Sequence, residues 1–300
     1  IRGILDDNVP AGTEYKGIKV LGRIANLNII LPENRLDEIA ITLGLSEYYR
    51  LEEIVALCEK SGVHTKFIPD YNKIIPTKPY TEDILGLPVI NIRYVPLNNT
   101  FNALVKRAMD IAGSIVGIIV TSPLMLLMCA IIKLTSPGPL IYKQERVGLH
   151  NQTFRMYKFR SMRTDADKIK AKLAKERGIE DRFIFKLKDD PRVTKIGHFI
   201  RKTSLDEFPQ FYNVLKGDMS LVGPRPALPE EVARYGSLYS ARLLVKPGIT
   251  GPWQVSGRSD LSQEQSEYLD VSYIENWSIA GDLAILAKTV LVVFRGTGSY

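Results

Sequence analysis

Apolar positions along the chain first come in short, alternating groups and then fuse into one long run. "IRGILDD" and "IKVLG" carry short apolar stretches separated by the turn-forming "NVPAG", and they predict two buried strands. "LNIILPE" predicts a further strand. "SEYYRLEEIVALCEKSG" sets Leu51, Ile54, Val55 and Cys58 at helical spacing, with Gly62 as a stop signal, and "VHTKFIPD" returns to a strand. Strands alternating with helices predict a parallel α/β layer. No glycine-rich strand-to-helix turn of the dinucleotide kind precedes it, so the layer reads as a partial α/β domain without catalysis. The proline-rich and polar stretch "NKIIPTKPYTEDILGLPVINIRYVPLNNT" predicts a linker or a hairpin-like bridge ending near Thr100.

The pattern then changes. From Ile111 to Ile132, "IAGSIVGIIVTSPLMLLMCAII", 22 residues carry no charge. One helix of that length is ~33 Å long, against a hydrocarbon core of ~30 Å. Ser122 and Pro123 fall at its middle, and an interior proline costs a helix ~3 kcal/mol. Broken there, the arms are only ~18 Å and ~15 Å long, so neither crosses alone. Lys106 and Arg107 stand before the segment, and Lys133, Lys143 and Arg146 stand after it. Cations mark the cytoplasmic side. Basic flanks at both ends therefore favour a re-entrant hairpin over a kinked core helix or a true span, with Ser122 satisfying a backbone group freed by the proline.

Charge sharpens this picture. The 300 residues carry a net charge of +7, but Lys133 to Lys202 alone holds 19 Lys+Arg against 8 Asp+Glu. A block this basic expects an anionic partner. Within it, "TDADKIKAKLAKER" (Thr164 to Arg177) predicts a basic helix that is either solvated or in contact with lipid headgroups. No helix-turn-helix, zinc or aromatic-basic pattern points to nucleic acid. Cys58 and Cys129 lack metal-ligand spacing, which argues against a disulfide framework or a zinc site. The chain opens on Ile1, so a segment upstream is expected. At the other end, "SYIENWSIAGDLAILAKTVLVVFRG" predicts a turn and an apolar helix from Leu283 to Phe294. Its Leu283, Leu286, Ala287, Val290 and Phe294 are set for core or interface packing.

Candidate chemistry concentrates in "RKTSLDEFPQ". Ser204-x-x-Glu207 has the spacing of a capping box, and acids in a first turn suit the helix dipole. A cap needs only one of Asp206 and Glu207, and it would leave Pro209 just past the first turn, where it costs stability. On spacing alone, cap and catalysis stand level. A carboxylate beside a phosphate ligand needs cations to relieve repulsion. Arg201, Lys202, Lys158, Arg160 and Arg225 are candidates, with a divalent metal bridging phosphate and carboxylate. "GPRP" holds Arg225 in a stiff turn. "KPGITGPWQVSGR", which carries Trp253 and ends in Arg258, is either a wall of the site or a structured surface loop.

"KFRSMRTDAD", "DPRVTKIGHFIRKTSLDEFPQFYNVLKGDMSLVGPRP" and "VKPGITGPWQVSGR", together with the Ser-Pro-broken segment, resemble the bacterial sugar transferase family. Its members are the monotopic polyprenyl-phosphate hexose-1-phosphate transferases, also called phosphoglycosyl transferases. The resemblance covers about Asn98 to Tyr300, and the N-terminal part resembles the end of the α/β domain of the large exopolysaccharide-initiating members. It implies transfer of a sugar 1-phosphate from a UDP-sugar to undecaprenyl phosphate, with release of UMP, at the cytoplasmic face of the inner membrane. In these terms Asp206 is the nucleophile that forms a phosphosugar-enzyme intermediate. Glu207 helps to hold Mg²⁺ together with Asp206 or orients the dyad, while Arg201 and Lys158 neutralise phosphate. Arg160, Lys202 and Arg258 complete the substrate cations, Arg225 matches the position associated with the nucleotide, and Ser122 and Pro123 match the re-entrant break. The large relatives imply a homodimer. Ser161, Phe208 and the Pro252-Trp253 pair depart from the usual residues, and the last bears on which sugar is accepted.

The expected architecture is α/β. A partial parallel, Rossmann-like domain over 1–75 and a linker over 76–100 lead to a re-entrant membrane helix over 101–135. A mostly helical monotopic catalytic domain over 136–300 follows. The competing reading is a catalytically silent membrane adaptor that binds anionic lipid.

Overall fold

The computed structural model describes residues 1–33, 36–71, 77, 79–166, 169, 190–236, 238–257 and 261–295. Most of the expected basic helix at Thr164–Arg177, and Arg258, lie outside them. The chain forms two compact units, Ile1–Lys78 and Pro79–Tyr300.

In the first unit, strand β1 (Ile4–Leu5) runs parallel to β3 (Ile18–Gly22), and β2 (Glu14–Tyr15) pairs with β3 antiparallel. β4 (Glu38–Ile41) and β5 (His64–Phe67) are parallel in the register Glu38↔His64 to Ile41↔Phe67, with helix α2 (Leu51–Lys60) in the crossover between them. The expected helix stop is present: Gly62 adopts φ +71°, open to glycine without steric cost. One expectation fails. "LNIILPE" is not a strand but helix α1 (Leu27–Glu33). Leu27 and Leu31, four apart, are both buried, whereas Ile29 is exposed. A strand would put Leu27, Ile29 and Leu31 on one face, and here they are split as a helix splits them. Leu27, Leu31, Ile41, Leu43, Ile54 and Cys58 make this unit's core.

The second unit begins with a hairpin, β6 (Tyr80–Ile84) and β7 (Leu87–Asn91), within the stretch expected to hold a linker or hairpin. Its two-residue turn has φ 55° at Leu85 and 85° at Gly86, the paired positive values of a type I′ turn. Helix α3 (Thr100–Thr135) follows, 36 residues long and by length and composition able to cross a membrane. Asn99 caps it, its Oδ1 accepting from Phe101 N at 3.0 Å. Helical turns continue through Pro123, so the segment is one continuous helix and not the two separate arms expected from the break. The missing N–H of residue 123 leaves the Ile119 carbonyl without its helical donor, and Ser122 Oγ donates to that carbonyl at 2.9 Å.

Helix α3 has two faces. Lys106, Asp110, Ser114, Met128 and Ile132 are buried along one stripe, and Leu104, Ile115, Ile119, Val120, Leu126 and Leu134 are exposed on the others. The stripe packs on the second unit at both ends. Lys106 Nζ reaches Asp282 Oδ2 at 2.6 Å and the Val222 carbonyl at 3.0 Å. Arg107 donates to the carbonyls of Val214 and Leu215 at 2.5 and 2.6 Å, closing the C-terminus of the helix Gln210–Lys216. These two cations, expected as flanks marking the cytoplasmic side, are internal ties. At the other end, Met128 and Ile132 join Phe159, Ile200 and Leu205 in one core.

Strands β8 (Ile141–Val147) and β9 (Thr153–Phe159) form an antiparallel ladder. β10 (Ser220–Val222) and β11 (Gly248–Thr250) pair in parallel beneath the closing helix Ile279–Arg295. That helix begins four residues before the expected Leu283. Its packed side is partly as expected: Leu286 lies against the core together with Ile285, and Asp282 is buried, while Leu283 and Val290 are exposed. The Lys106–Asp282 pair helps to set this face, because a buried carboxylate has to face its cation.

Candidate active site

The Asp-Glu pair sits on a tight reversal. Thr194 Oγ1 accepts from Gly197 N at 2.9 Å and starts the helix Lys195–Lys202. Ser204 then adopts the left-handed region at φ 55°, ψ 19°, and the chain enters a 3₁₀ turn at Leu205–Glu207. The flanking Leu205 and Phe208 pack with Met128, Ile132 and Ile200, so this turn is seated on the C-terminal half of helix α3. Pro209 stands at the cap of the next helix, Gln210–Lys216, where its missing N–H costs nothing.

The capping box that the spacing allows does not form. Ser204 makes no side-chain cap bond, and Asp206 and Glu207 lie ahead of the helix rather than in its first turn. Glu207 is engaged elsewhere: Lys158 Nζ, delivered by β9, donates to its Oε1 at 2.9 Å. Asp206 is partly buried, and burial pushes its carboxyl up to about 6. Lys158 pulls it back, Glu207 raises it further and Arg201 lowers it. Arg201 is held for this role by its Nε–H, which donates to Ser161 Oγ at 2.9 Å. Burial also draws the Arg201 guanidinium down, against the attraction of Asp206 and Asp190. Asp206, Glu207, Lys158 and Arg201 therefore share one electrostatic environment.

The other expected residues are distributed around this core. Arg160 is buried, and its Nη2 donates to both the carbonyl and the Oγ of Ser136 at 2.7 Å, tying the end of helix α3 to the end of β9. Lys202 is exposed at the end of its helix. Arg225 is exposed within an otherwise buried run, its guanidinium 5.6 Å from the centre of the Trp253 ring. Among the described residues, no group of three or more His, Cys, Asp or Glu side chains gathers at one point. Two adjacent carboxylates fit Mg²⁺ in the manner in which it is held by one or two carboxylates plus substrate phosphates, not in a closed protein cage.

Several supporting residues escaped the sequence reading. Ser161 was noted only as a departure from the usual residue, yet it orients Arg201. Arg146 was read as a flank and is buried, donating to the Pro226 carbonyl at 2.9 Å. Arg242 and Asp270 pair at 3.0 Å across 28 positions, a separation at which no local spacing rule operates.

Residues 101–296 match the model of the bacterial sugar transferase family, and residues 1–69 match a CoA-binding domain. The chain is 50% identical over 195 residues to galactosyl transferase CpsE of Streptococcus agalactiae, covering 65% of this chain and 43% of that protein. It is 40% identical to undecaprenyl-phosphate galactose phosphotransferase of Salmonella typhimurium, over 94% of this chain and 61% of that one. It is 35% identical to UDP-glucose:undecaprenyl-phosphate glucose-1-phosphate transferase of Klebsiella pneumoniae, over 100% and 63%. It spans roughly half to two thirds of the length of these relatives.

Proposed function

This chain belongs to the bacterial sugar transferase family, and from that premise we propose that it moves a hexose 1-phosphate from a UDP-sugar to undecaprenyl phosphate. In the first step an Asp206 oxygen attacks the sugar-proximal phosphorus. A phosphorus–oxygen bond to the enzyme forms, the pyrophosphate bond breaks, and UMP leaves with the electron pair. In the second step a phosphate oxygen of undecaprenyl phosphate attacks the same phosphorus. The aspartyl ester breaks, and Asp206 returns as a carboxylate. The product is the lipid diphosphate sugar, the first membrane-linked species of exopolysaccharide, capsule or O-antigen synthesis.

Lys158 and Arg201 offset the phosphate charge that Asp206 must approach, and Lys158 also holds the Glu207 side chain by a hydrogen bond. Mg²⁺, when bound by Asp206, Glu207 and the donor phosphates, supplies further charge neutralisation. Arg225 beside Trp253 is the donor-nucleotide contact. The reading of helix α3 is monotopic and re-entrant, at the cytoplasmic face of the inner membrane. It is supported by the helix's two tied ends: Lys106 and Ile132 both pack on the same unit, and the outer face is apolar. Attachment at both ends supports a single side of the bilayer for the domain.

The observation that carries the reading is Asp206 itself, a carboxylate not used as a cap, partly buried beside two cations, on a turn seated against the membrane helix. The test omits the acceptor. With UDP-galactose or UDP-glucose and Mg²⁺ alone, UMP is expected at near one equivalent per active enzyme, and Asp206→Asn should release none. Mass spectrometry of quenched enzyme should show the phosphohexose on Asp206. Normal turnover by Asp206→Asn would return the pair to a structural role, and no turnover with any UDP-hexose would favour the silent adaptor.

A further inference from the structure

The turn that carries Arg225 is held with unusual completeness. From Val222 to Ala227 the chain is buried except at Arg225, and two of its six residues are prolines that donate no hydrogen bond. Its carbonyls are occupied from several directions. Val222 O accepts from Lys106 Nζ and from Tyr273 OH, each at 3.0 Å. Pro224 O accepts from Gly248 N at 2.9 Å, and Ala227 O accepts from Val147 N at 2.9 Å. Pro226 O accepts from Arg146 Nη1 at 2.9 Å, and Arg225 O accepts from Arg242 Nη2 at 2.7 Å. Two buried cations, Lys106 and Arg146, and the partly buried Arg242 thus aim from three separate elements at one turn.

Arg242 is the best equipped of the three. Its guanidinium lies 4.7 Å from the Tyr239 ring centre and 5.6 Å from that of Tyr235, whose hydroxyl accepts from Nη1 at 2.6 Å. Its Nε is 3.0 Å from Asp270 Oδ2, on a carboxylate with almost no exposure. Aromatic faces, a carboxylate and a hydroxyl fix the fork in one orientation, and the remaining nitrogen grips the backbone of Arg225 itself.

We propose that Arg242 is a positioning residue for Arg225, setting where its exposed guanidinium stands beside Trp253 to meet the anionic donor. This rests on the reading of Arg225 as a donor contact. Arg242 never touches the nucleotide; it acts through one carbonyl.

The test is a mutant cycle on the full chain in detergent, following UMP release from UDP-galactose and UDP-glucose. Arg242→Lys keeps a charge beside Asp270 but lacks the fork, and Asp270→Asn loosens Arg242 without removing it. For Arg242→Lys, the KM for the donor that turns over should rise about tenfold while kcat stays within about twofold, the pattern of a lost uniform-binding contact. The KM for undecaprenyl phosphate should not move, and Asp270→Asn should show a smaller change of the same kind. In the Arg225→Ala background, Arg242→Lys should add nothing further. Additive losses, or a fall in kcat with unchanged donor KM, would overturn the proposal. If Arg225→Ala alone leaves donor KM untouched, the donor reading of Arg225 fails and this proposal falls with it. If Arg225→Ala raises it but Arg242→Lys and Asp270→Asn do not, only the role of Arg242 fails.

Discussion

Asp206 carries a cost that its neighbours only partly offset. With its carboxyl near 6, about nine in ten molecules are ionised at pH 7, so the nucleophile is available but close to its limit. The donor-only burst should therefore lose rate as pH falls through about 6, and a limb near 4 would mean that the free carboxyl is not perturbed. Stability responds in the opposite sense. A carboxyl raised on folding favours the folded state below its unfolded value near 3.8, and that contribution disappears as pH rises through about 6. Asp206→Asn should accordingly be more stable than the parent by roughly 1–3 kcal/mol at pH 8, with the gap closing towards pH 4 in thermal melts. Sequence made the Asp206–Glu207 pair visible as an even choice between cap and catalysis. It could not show what surrounds the pair, because the contact of Lys158 with Glu207 spans 49 positions. Arg242 and Asp270 lay beyond it for the same reason.

Among the elements, apolar spacing served best where period and burial agreed. The α2 helix and strand β5 followed from it directly, whereas β4, the strand that β5 pairs with, was not foreseen. "LNIILPE" misled because seven mostly apolar residues satisfy either period, and only the burial of Leu27 and Leu31 against an exposed Ile29 separates them. The closing helix was right in kind, and Leu286 packs inward as expected, but the buried Asp282 facing Lys106 shares its inner face. Helix α3 also carries a detail that its hydrophobicity concealed. Gly117 is where the Phe211 ring meets the helix, and a Cβ there would lie 2.8 Å from ring carbons. Small residues allow such close approach. Gly117→Leu should cost ~1–3 kcal/mol by overpacking and lower the melting temperature by several degrees. Trimming the ring in Gly117→Leu/Phe211→Leu should recover part of the loss.

For the molecule as a whole, the prediction concerns sidedness. With Cys58 and Cys129 replaced by serine, single cysteines introduced before Phe101 and after Thr135 should react with an impermeant maleimide from the same side of sealed vesicles. Labelling from opposite sides would mean that α3 spans. The two tied ends of that helix also have a consequence for the purified protein. Because its inner stripe is covered by its own unit only near the two ends, with no buried residue from Ile115 to Leu127, solubilisation calls for surfactant gathered around that middle stretch instead of a belt around the whole protein. Mild amphiphiles at low ratios ought to suffice, and the bare remainder stays free to form ordered lattice contacts.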